Sequence, residues 1–419
     1  MTNLETPDIK KIENGDFRYL LRGQLKSLKD NLQFRKRVVC DPLCKYRGTD
    51  TVEIERYPSS AEVIIDGRKM INFASNDYLG LTSHPLITEA LKEGIKLYGA
   101  GTGASALVTG HTTAHAKLEE YLKELTGKEK VLLLNSGFAA NQALIKAHLS
   151  LGANLILDRL VHASMQQALF NGKNFYRYEH NNLKKAERLL QKYENTSIFT
   201  EGVFSMDGDS PDLQQLVSLV RKYHSYLVLD DAHGFGACGI SGQGTPAKQG
   251  VSFSDIDIYM ATLSKACGLC GAFIAADGDF IDYLVNTSKE YIYSTSAPAY
   301  IAHGLLTSLK IINGEEGNAL RKHLNELTDY FRKEARNLPG NVILLPSSTS
   351  IQPLIIGDNK RLMEISVFLK SKGILCGAIR PPTVPAGTAR LRITITAAHD
   401  RNDITRLLQT LYDAFNSIT

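Results

Sequence analysis

No apolar run in this 419-residue sequence approaches the roughly 18 residues that a membrane-spanning helix needs, and the polar segment from Met1 to Glu13 lacks the basic-then-apolar form of a signal peptide. A cytoplasmic chain with no membrane partner is expected. Charge of one sign is scarce too: 48 Lys+Arg against 44 Asp+Glu leave a net +4, too little over this length to mark nucleic acid as the partner. Any anion is then expected at a local site. Six cysteines, Cys40, Cys44, Cys238, Cys267, Cys270 and Cys376, are few for so large a chain, which argues for reduced thiols rather than bridges. Cys267-x-x-Cys270 has no second such pair to complete a metal site and no thioredoxin-like strand before it, so packing of small residues is its simpler reading. Internal repeats and low-complexity tracts are absent.

What is present is an ordinary globular composition, 43% hydrophobic and 22% charged, which excludes disordered and collagen-like classes and leaves room for two or three compact units. Residues 1–60 read as an N-terminal arm, with a helical spacing at Leu20, Leu21, Leu25 and Leu28 and a loop from Asp41 to Pro58. From 61 to 312 strand-like and helical patterns alternate. A hairpin signature at 62–73 turns at Asp66-Gly67, and apolar strands are expected at Val131–Leu134, Asn154–Leu157, Ser197–Thr200, Tyr226–Leu229, Ile256–Ala261 and Ala272–Ala275. The alternation predicts an α/β large domain with a mainly parallel sheet. Leu320, Leu324, Leu327 and Phe331 form one helical stripe ending near Leu338-Pro339-Gly340, and residues 313–419 are expected to make a smaller C-terminal α/β domain.

The chemistry sits where apolar strands end. Tyr226 to Leu229 runs into Asp230-Asp231-Ala232-His233-Gly234, and ligands of open α/β sheets bind at that edge; a lone Asp there could equally cap the next element. Thirty residues on, Thr262-Leu263-Ser264-Lys265-Ala266-Cys267-Gly268 places a lysine between a strand and small residues. Partial desolvation there would lower its pKa and make it a nucleophilic amine, although most lysines are solvated surface groups. A lysine with an upstream strand-end aspartate is the pair that pyridoxal phosphate (PLP) requires, one to hold its aldehyde and one to keep its ring nitrogen protonated. Ser136-Gly137-Phe138 follows a strand and opens a helix, a geometry that turns backbone N–H groups toward a phosphate but is also that of any βα turn. Phe138 could cover an aromatic ring. In Ala389 to Thr396 the period-two pattern puts Arg390, Arg392, Thr394 and Thr396 on one face. Arg392 could grip a carboxylate with two parallel bonds; for Arg390 a solvated salt-bridge face is expected.

Together with Thr200-Glu201-Gly202-Val203-Phe204-Ser205-Met206-Asp207-Gly208-Asp209, Asn72 to Leu81, Ile292 to Ser296 and Ala378 to Arg392, these segments resemble the α-oxoamine synthases, PLP enzymes of the fold-type I aminotransferase class. The similarity spans residues 70–413. It implies that Lys265 bonds the cofactor and serves as general base, that Asp230 pairs with the ring nitrogen, that His233 meets the phenolic oxygen and that His162 stacks on the ring. Ser205 and Thr262 match cofactor-contacting positions, and Ser136, Gly137 and Phe138 the phosphate region. Ser294 and Thr295 match residues that reach the phosphate of a neighbouring subunit, which implies a homodimer. Arg392, Thr383, Asn76 and His162 match substrate contacts, and Arg35, with Arg37 beside it, is the nearest match to an arm arginine that meets substrate.

The stretch 379–396 favours the biotin-pathway branch of the family, whose substrates are L-alanine and a pimeloyl thioester carried by coenzyme A or acyl carrier protein. The rivals are a relative that uses glycine or serine, a non-catalytic partner subunit of the same fold, and a metal protein built on His111-x-x-x-His115. The last lacks a coherent four-ligand spacing. Two departures from the family pattern stand out: cysteines at 267 and 270 where relatives carry mostly glycine, phenylalanine or other small residues, and an arm that is longer from Asp41 to Ser60.

Overall fold

The computed structural model describes residues 17–30, 61–65, 68–169, 172–339 and 342–418. In chain order the strands are β1 (Glu62–Ile65), β2 (Arg68–Phe73), β3 (Lys130–Leu134), β4 (Asn154–Asp158), β5 (Phe175–Tyr178), β6 (Thr196–Glu201), β7 (Tyr226–Asp230), β8 (Ile258–Thr262), β9 (Ala272–Ala276), β10 (Ile343–Leu344), β11 (Ile351–Gly357), β12 (Ile374–Ile379) and β13 (Ala389–Thr394). A seven-stranded sheet has the order β3-β9-β8-β7-β6-β4-β5. From β8 to β5 all neighbours are parallel, and β9 runs antiparallel to both β8 and β3. The mainly parallel sheet is as expected.

Its strands are apolar on both sides because helices cover both faces. Along β8, Tyr259 and Ala261 enter one core cluster while Ile258 and Met260 enter another, and along β7 Leu227 and Leu229 are divided in the same way from Val228. Each strand thus feeds two cores at period two. The helix Phe17–Asp30 buries Leu21 and Leu25 in the second cluster, beside Phe280 and Leu284. Among the described residues no helix is long and apolar enough to cross a membrane.

The second sheet has the order β1-β2-β12-β13-β11-β10. Sequence pattern grouped residues 61–73 with the large domain, but β2 pairs parallel with β12, Ile71 opposite Ile374. About 300 residues of chain separate these partners, and the hairpin supplies β12 with the ladder neighbour its edge would otherwise lack. Three strands are not among those expected from the sequence: β5, four residues long and carrying Arg177, β10, only two residues long, and β12, interrupted by Gly377.

The two sheets meet over one edge of the larger. The C-terminal ends of β3 and β8 lie together there, since Leu134 and Thr262 both face Ala272. The ends of β6 and β7 are adjacent, Glu201 opposite Asp230. Every strand-end motif singled out in the sequence therefore opens on the same edge.

Candidate active site

Beyond β8 the chain turns through Leu263-Ser264-Lys265 and is tied back by Leu263 N–H donating to Gly271 O (2.8 Å) and Gly268 N–H to Lys265 O (2.9 Å). Gly268 has φ +71°, and a Cβ there would lie 2.8 Å from the backbone of Leu81 and Thr82. Only glycine lets the segment Asn76 to Thr82 close over the lysine loop. Lys265 Nζ lies 2.7 Å from His233 Nε2, and His233 Nδ1 lies 2.5 Å from the Tyr78 hydroxyl. Burial pushes the Lys265 amine down to about 8, against the opposing pull of Asp230 and Glu201. Burial, reinforced by the charges of Lys265 and Arg392, holds His233 well below the usual imidazole range, and burial raises Tyr78 to about 12.

The two adjacent aspartates separate sharply. Asp230 accepts from Asn141 Nδ2 (2.7 Å) and from Ala232 N–H (3.0 Å) at the strand-end edge. Asp231 turns away and accepts from Thr245 N–H (2.8 Å), Thr245 Oγ1 (2.6 Å) and Tyr259 Oη (2.8 Å). Added Cβ atoms at Gly202, Gly234 and Gly244 would come within 2.1 Å of its carboxylate. Asp231 is a structural anchor under the loop, and burial raises its carboxyl to about 7.

Around this pair lie residues that sequence reasoning left without a role. Asn141 bridges Asp230 and Ser164, whose hydroxyl lies 2.8 Å from His162 Nδ1. Glu201 is buried with Oε1 unpartnered, while backbone N–H groups of His162 and Ser205 reach its carboxyl. Burial and the neighbouring Asp230 raise it well above the usual carboxylate range. Tyr78, Asn141 and Glu201 stand inside recognised motifs; no local pattern marks what they touch. On the facing strand, Thr262 Oγ1 donates to Gly271 O (3.0 Å) and packs beside Gly137.

The second sheet contributes Arg392. Its Nε donates to Ser205 O (2.6 Å), and Nη1 donates to Asn76 Oδ1 (3.1 Å) and Thr394 Oγ1 (2.9 Å). It is 6% exposed and has no carboxylate partner among the described residues. Arg390 corrects an expectation. Rather than facing solvent, it is buried and ion-paired with Asp207, and it donates to Met206 O and Thr388 O. Strand alternation shows that a face is polar, not what covers it, and here the loop 202–210 covers it.

That loop is held from the other side by His180, whose Nδ1 lies 2.9 Å from Asp158 and whose Nε2 lies 2.9 Å from Asp209. Burial alone would lower its pKa, but the two carboxylates overcome this and raise it to about 10. A folded pKa above the unfolded value of ~6.5 stabilises fully below pH 6.5, and the contribution is lost as pH rises through about 10. The part-exposed ring is screened by solvent, which reduces its contribution to about 2 kcal/mol. His180→Gln is therefore expected to be less stable than the parent by that amount at pH 6, with the gap closing toward pH 10. Urea unfolding across this range measures it, and a pH-independent gap contradicts the charged staple.

The remaining expected residues lie further out. Ser294 and Thr295 line a cavity with Leu134, Asn135, Cys270 and Gly271, and Asn135 Nδ2 donates to Thr295 O (2.8 Å). Thr383 is exposed in the loop after β12, its N–H donating to Arg380 O (3.1 Å). Arg35, Arg37, Cys40, Cys44 and the loop from Asp41 to Pro58 lie outside the described residues. His111 and His115 have internal partners: Glu119 for the first, Thr112 and Ala297 for the second. Cys267 is buried and Cys270 exposed.

The constellation suits PLP on its own chemistry. The helix Gly137–Ser150 begins on Ser136, whose Oγ accepts from Ala139 N–H (3.1 Å). The N–H groups of Gly137 and Phe138 make no bond among the described residues, as a phosphate cradle requires. Phe138 is 47% exposed beside them, and Asn141 Oδ1 and Glu201 Oε1 are buried polar atoms awaiting a partner.

Comparison with known proteins agrees. Residues 68–411 match the family model for aminotransferase class I and II. The 8-amino-7-oxononanoate synthases of Stutzerimonas stutzeri and Pseudomonas fluorescens are both 42% identical, over 85% and 86% of this chain and 91% and 92% of theirs. Among solved structures, the 8-amino-7-oxononanoate synthase of Francisella tularensis aligns with TM-score 0.71 and 25% identity over 83% of this chain and 98% of that one. A serine palmitoyltransferase from S. paucimobilis with bound PLP–myriocin aldimine aligns with TM-score 0.82 at 24% identity, over 95% of this chain and 97% of that one, and shows the shared fold. The chain belongs to the aminotransferase class I and II family and, within it, to the 8-amino-7-oxononanoate synthases.

Proposed function

We infer that this chain is a PLP-dependent acyltransferase that condenses L-alanine with a pimeloyl thioester to give 8-amino-7-oxononanoate, carbon dioxide and free thiol in biotin biosynthesis. Family membership supports the reaction, and one observation carries the site: the buried Arg392 guanidinium, in the same cluster as the Lys265 amine, has no anionic partner among the described residues. An unpaired buried cation is costly unless a ligand completes it, and an amino-acid carboxylate has the matching fork geometry.

PLP supplies an electrophilic aldehyde and a protonated ring that stores the electron pair released at the substrate α-carbon. Lys265 would hold the aldehyde, Asp230 the ring nitrogen and His233 the phenolic oxygen, while His162, Ser205 and Thr262 would contact the ring. Ser136, Gly137 and Phe138 would receive the phosphate. Arg392, with Asn76 beside it, fixes the alanine carboxylate. Nζ of Lys265, whose pKa burial lowers to about 8 so that about a tenth of molecules carry the uncharged amine at pH 7, takes the α-proton. Overall the α-carbon joins the acyl carbon, the carbon–sulfur bond to the carrier breaks, and the carboxylate carbon leaves as carbon dioxide. Thr383, on the exposed loop after β12, is assigned to substrate contact by the family resemblance. By the family resemblance Ser294 and Thr295 would face the phosphate of a second copy, which makes the proposed working form a homodimer.

The test is the visible spectrum of the protein with PLP as L-alanine, glycine or L-serine is added, with and without pimeloyl-CoA. A visible band that responds to alanine, with thiol released only when pimeloyl-CoA is present, is expected. Thiol release driven by glycine or serine would move the chain to another branch of the family, and no visible band would remove the cofactor. Arg392→Gln should raise the alanine requirement roughly 100-fold, since charged hydrogen bonds are worth about 1.5–3 kcal/mol each.

A further inference from the structure

Between the Lys265 amine and the Arg392 guanidinium runs an unbroken row of side chains. Nζ of Lys265 lies 2.7 Å from Nε2 of His233, whose Nδ1 lies 2.5 Å from the Tyr78 hydroxyl. The same hydroxyl lies 3.3 Å from Oδ1 of Asn76, which accepts from Nη1 of Arg392 at 3.1 Å. Tyr78 is fully buried, so its hydroxyl has no solvent to turn to.

A tyrosine hydroxyl has one proton to give, and a neutral imidazole has one nitrogen that donates and one that accepts. The two candidate acceptors of the Tyr78 proton are unequal. Asn76 Oδ1 is farther away and already takes a charged donor from Arg392, while His233 Nδ1 is nearer and has no other partner among the described residues. We propose that Tyr78 is a positioning residue for the reaction: it gives its hydroxyl proton to Nδ1 of His233, fixes the imidazole as the Nε2–H tautomer, and so turns a donor toward Nζ of Lys265.

A donor at that place favours one form of the lysine. An ammonium has three N–H groups and nothing with which to accept, whereas a neutral amine has a lone pair to receive Nε2–H. In the cofactor-free protein Tyr78 therefore biases Lys265 toward the uncharged amine, the form that attacks an aldehyde; with PLP in place the same Nε2–H is the donor that the phenolic oxygen would need. The low pKa of Lys265 is consistent with this arrangement. The other charged groups around the amine divide: Asp230 and Glu201 at the ends of β7 and β6 and Asp231 beyond them favour the ammonium, while Arg392 opposes it. His162 completes the set of titratable neighbours. None of these sets the tautomer of His233, because Nδ1 faces Tyr78.

The inference rests on the proposed function only in taking Lys265 as the working amine, and it can be tested on the protein without cofactor. Histidine is labelled with ¹⁵N in the full chain, and His233 is assigned by the signal missing in His233→Gln. A neutral ring protonated at Nε2 from pH 6 to 9 is expected; protonation at Nδ1 in the parent protein overturns the proposal whether or not any Tyr78 variant folds. In Tyr78→Phe the single tautomer should give way to a mixture, and the midpoint for labelling Lys265 with an amine reagent should rise by about one pH unit, a tenfold smaller uncharged fraction at neutral pH. An unchanged tautomer or an unmoved midpoint in that variant also overturns it. Failure of the parent protein to give a visible band with PLP would instead count against the proposed function alone.

Discussion

Lys265→Ala is expected to lower turnover at least ~10⁴-fold while leaving the fold intact, because the proposed function gives one side chain two roles, the bond to the cofactor and the base for the α-proton. The structure explains why the fold should survive. The backbone of this turn is fixed by Leu263 and Gly268 hydrogen bonds and by the close approach of Leu81 to Gly268, none of which uses the lysine side chain. Nζ touches His233, and the space left by an alanine opens on the same edge that substrate reaches. Steady-state thiol release from pimeloyl-CoA with saturating alanine measures the loss, with thermal unfolding as the control. Turnover within tenfold of the parent would sink the role assigned to Lys265.

Asp230→Ala should cost roughly 10³-fold in kcat, the scale on which a preorganised charge opposite a developing one acts in a buried site. The surroundings set Asp230 apart from its acidic neighbours. Glu201 lies opposite it in the strand register, yet burial and Asp230 raise the Glu201 carboxyl well above the usual range. Asp231 is buried beneath three glycines and cannot substitute. Asp230→Asn, which retains the shape and can still accept from Asn141, should fall nearly as far, because it is the charge that keeps a ring nitrogen protonated. An unchanged rate in either variant would contradict the assignment. A loss in Asp230→Ala alone would point to the Asn141 contact instead of the charge.

Both effects depend on a loop that the two sheets share. Arg390 and Arg392 reach across to residues 205–207, Ser347 and Thr349 donate to Gly208 O at 2.8 and 3.0 Å, and His180 and Asn181 hold Asp209. Ser205 is fixed within it by the Arg392 guanidinium. On the proposed function, substrate binding at Arg392 and cofactor contact at Ser205 would therefore be mechanically joined.

The sequence by itself determined what neighbouring residues can express. Apolar strands alternating with helical stripes specify a mainly parallel sheet; a lysine after one strand, Asp230 and His233 after another, and Ser136-Gly137-Phe138 after a third specify which strand ends carry chemistry. These signals are local, so they survive without knowledge of the fold. Only the tertiary structure decided which distant segments meet. It took the hairpin at 62–73 out of the large sheet and paired it with β12, set Tyr78 against His233 across 155 positions, and buried Arg390 on Asp207 across 183. It also gave the adjacent Asp230 and Asp231 opposite environments. The physical reason is common to all four: period and propensity fix the direction in which a side chain points, while burial, charge compensation and hydrogen-bond partners are supplied by residues on other elements, from 14 to roughly 300 positions away, whose approach no local pattern encodes.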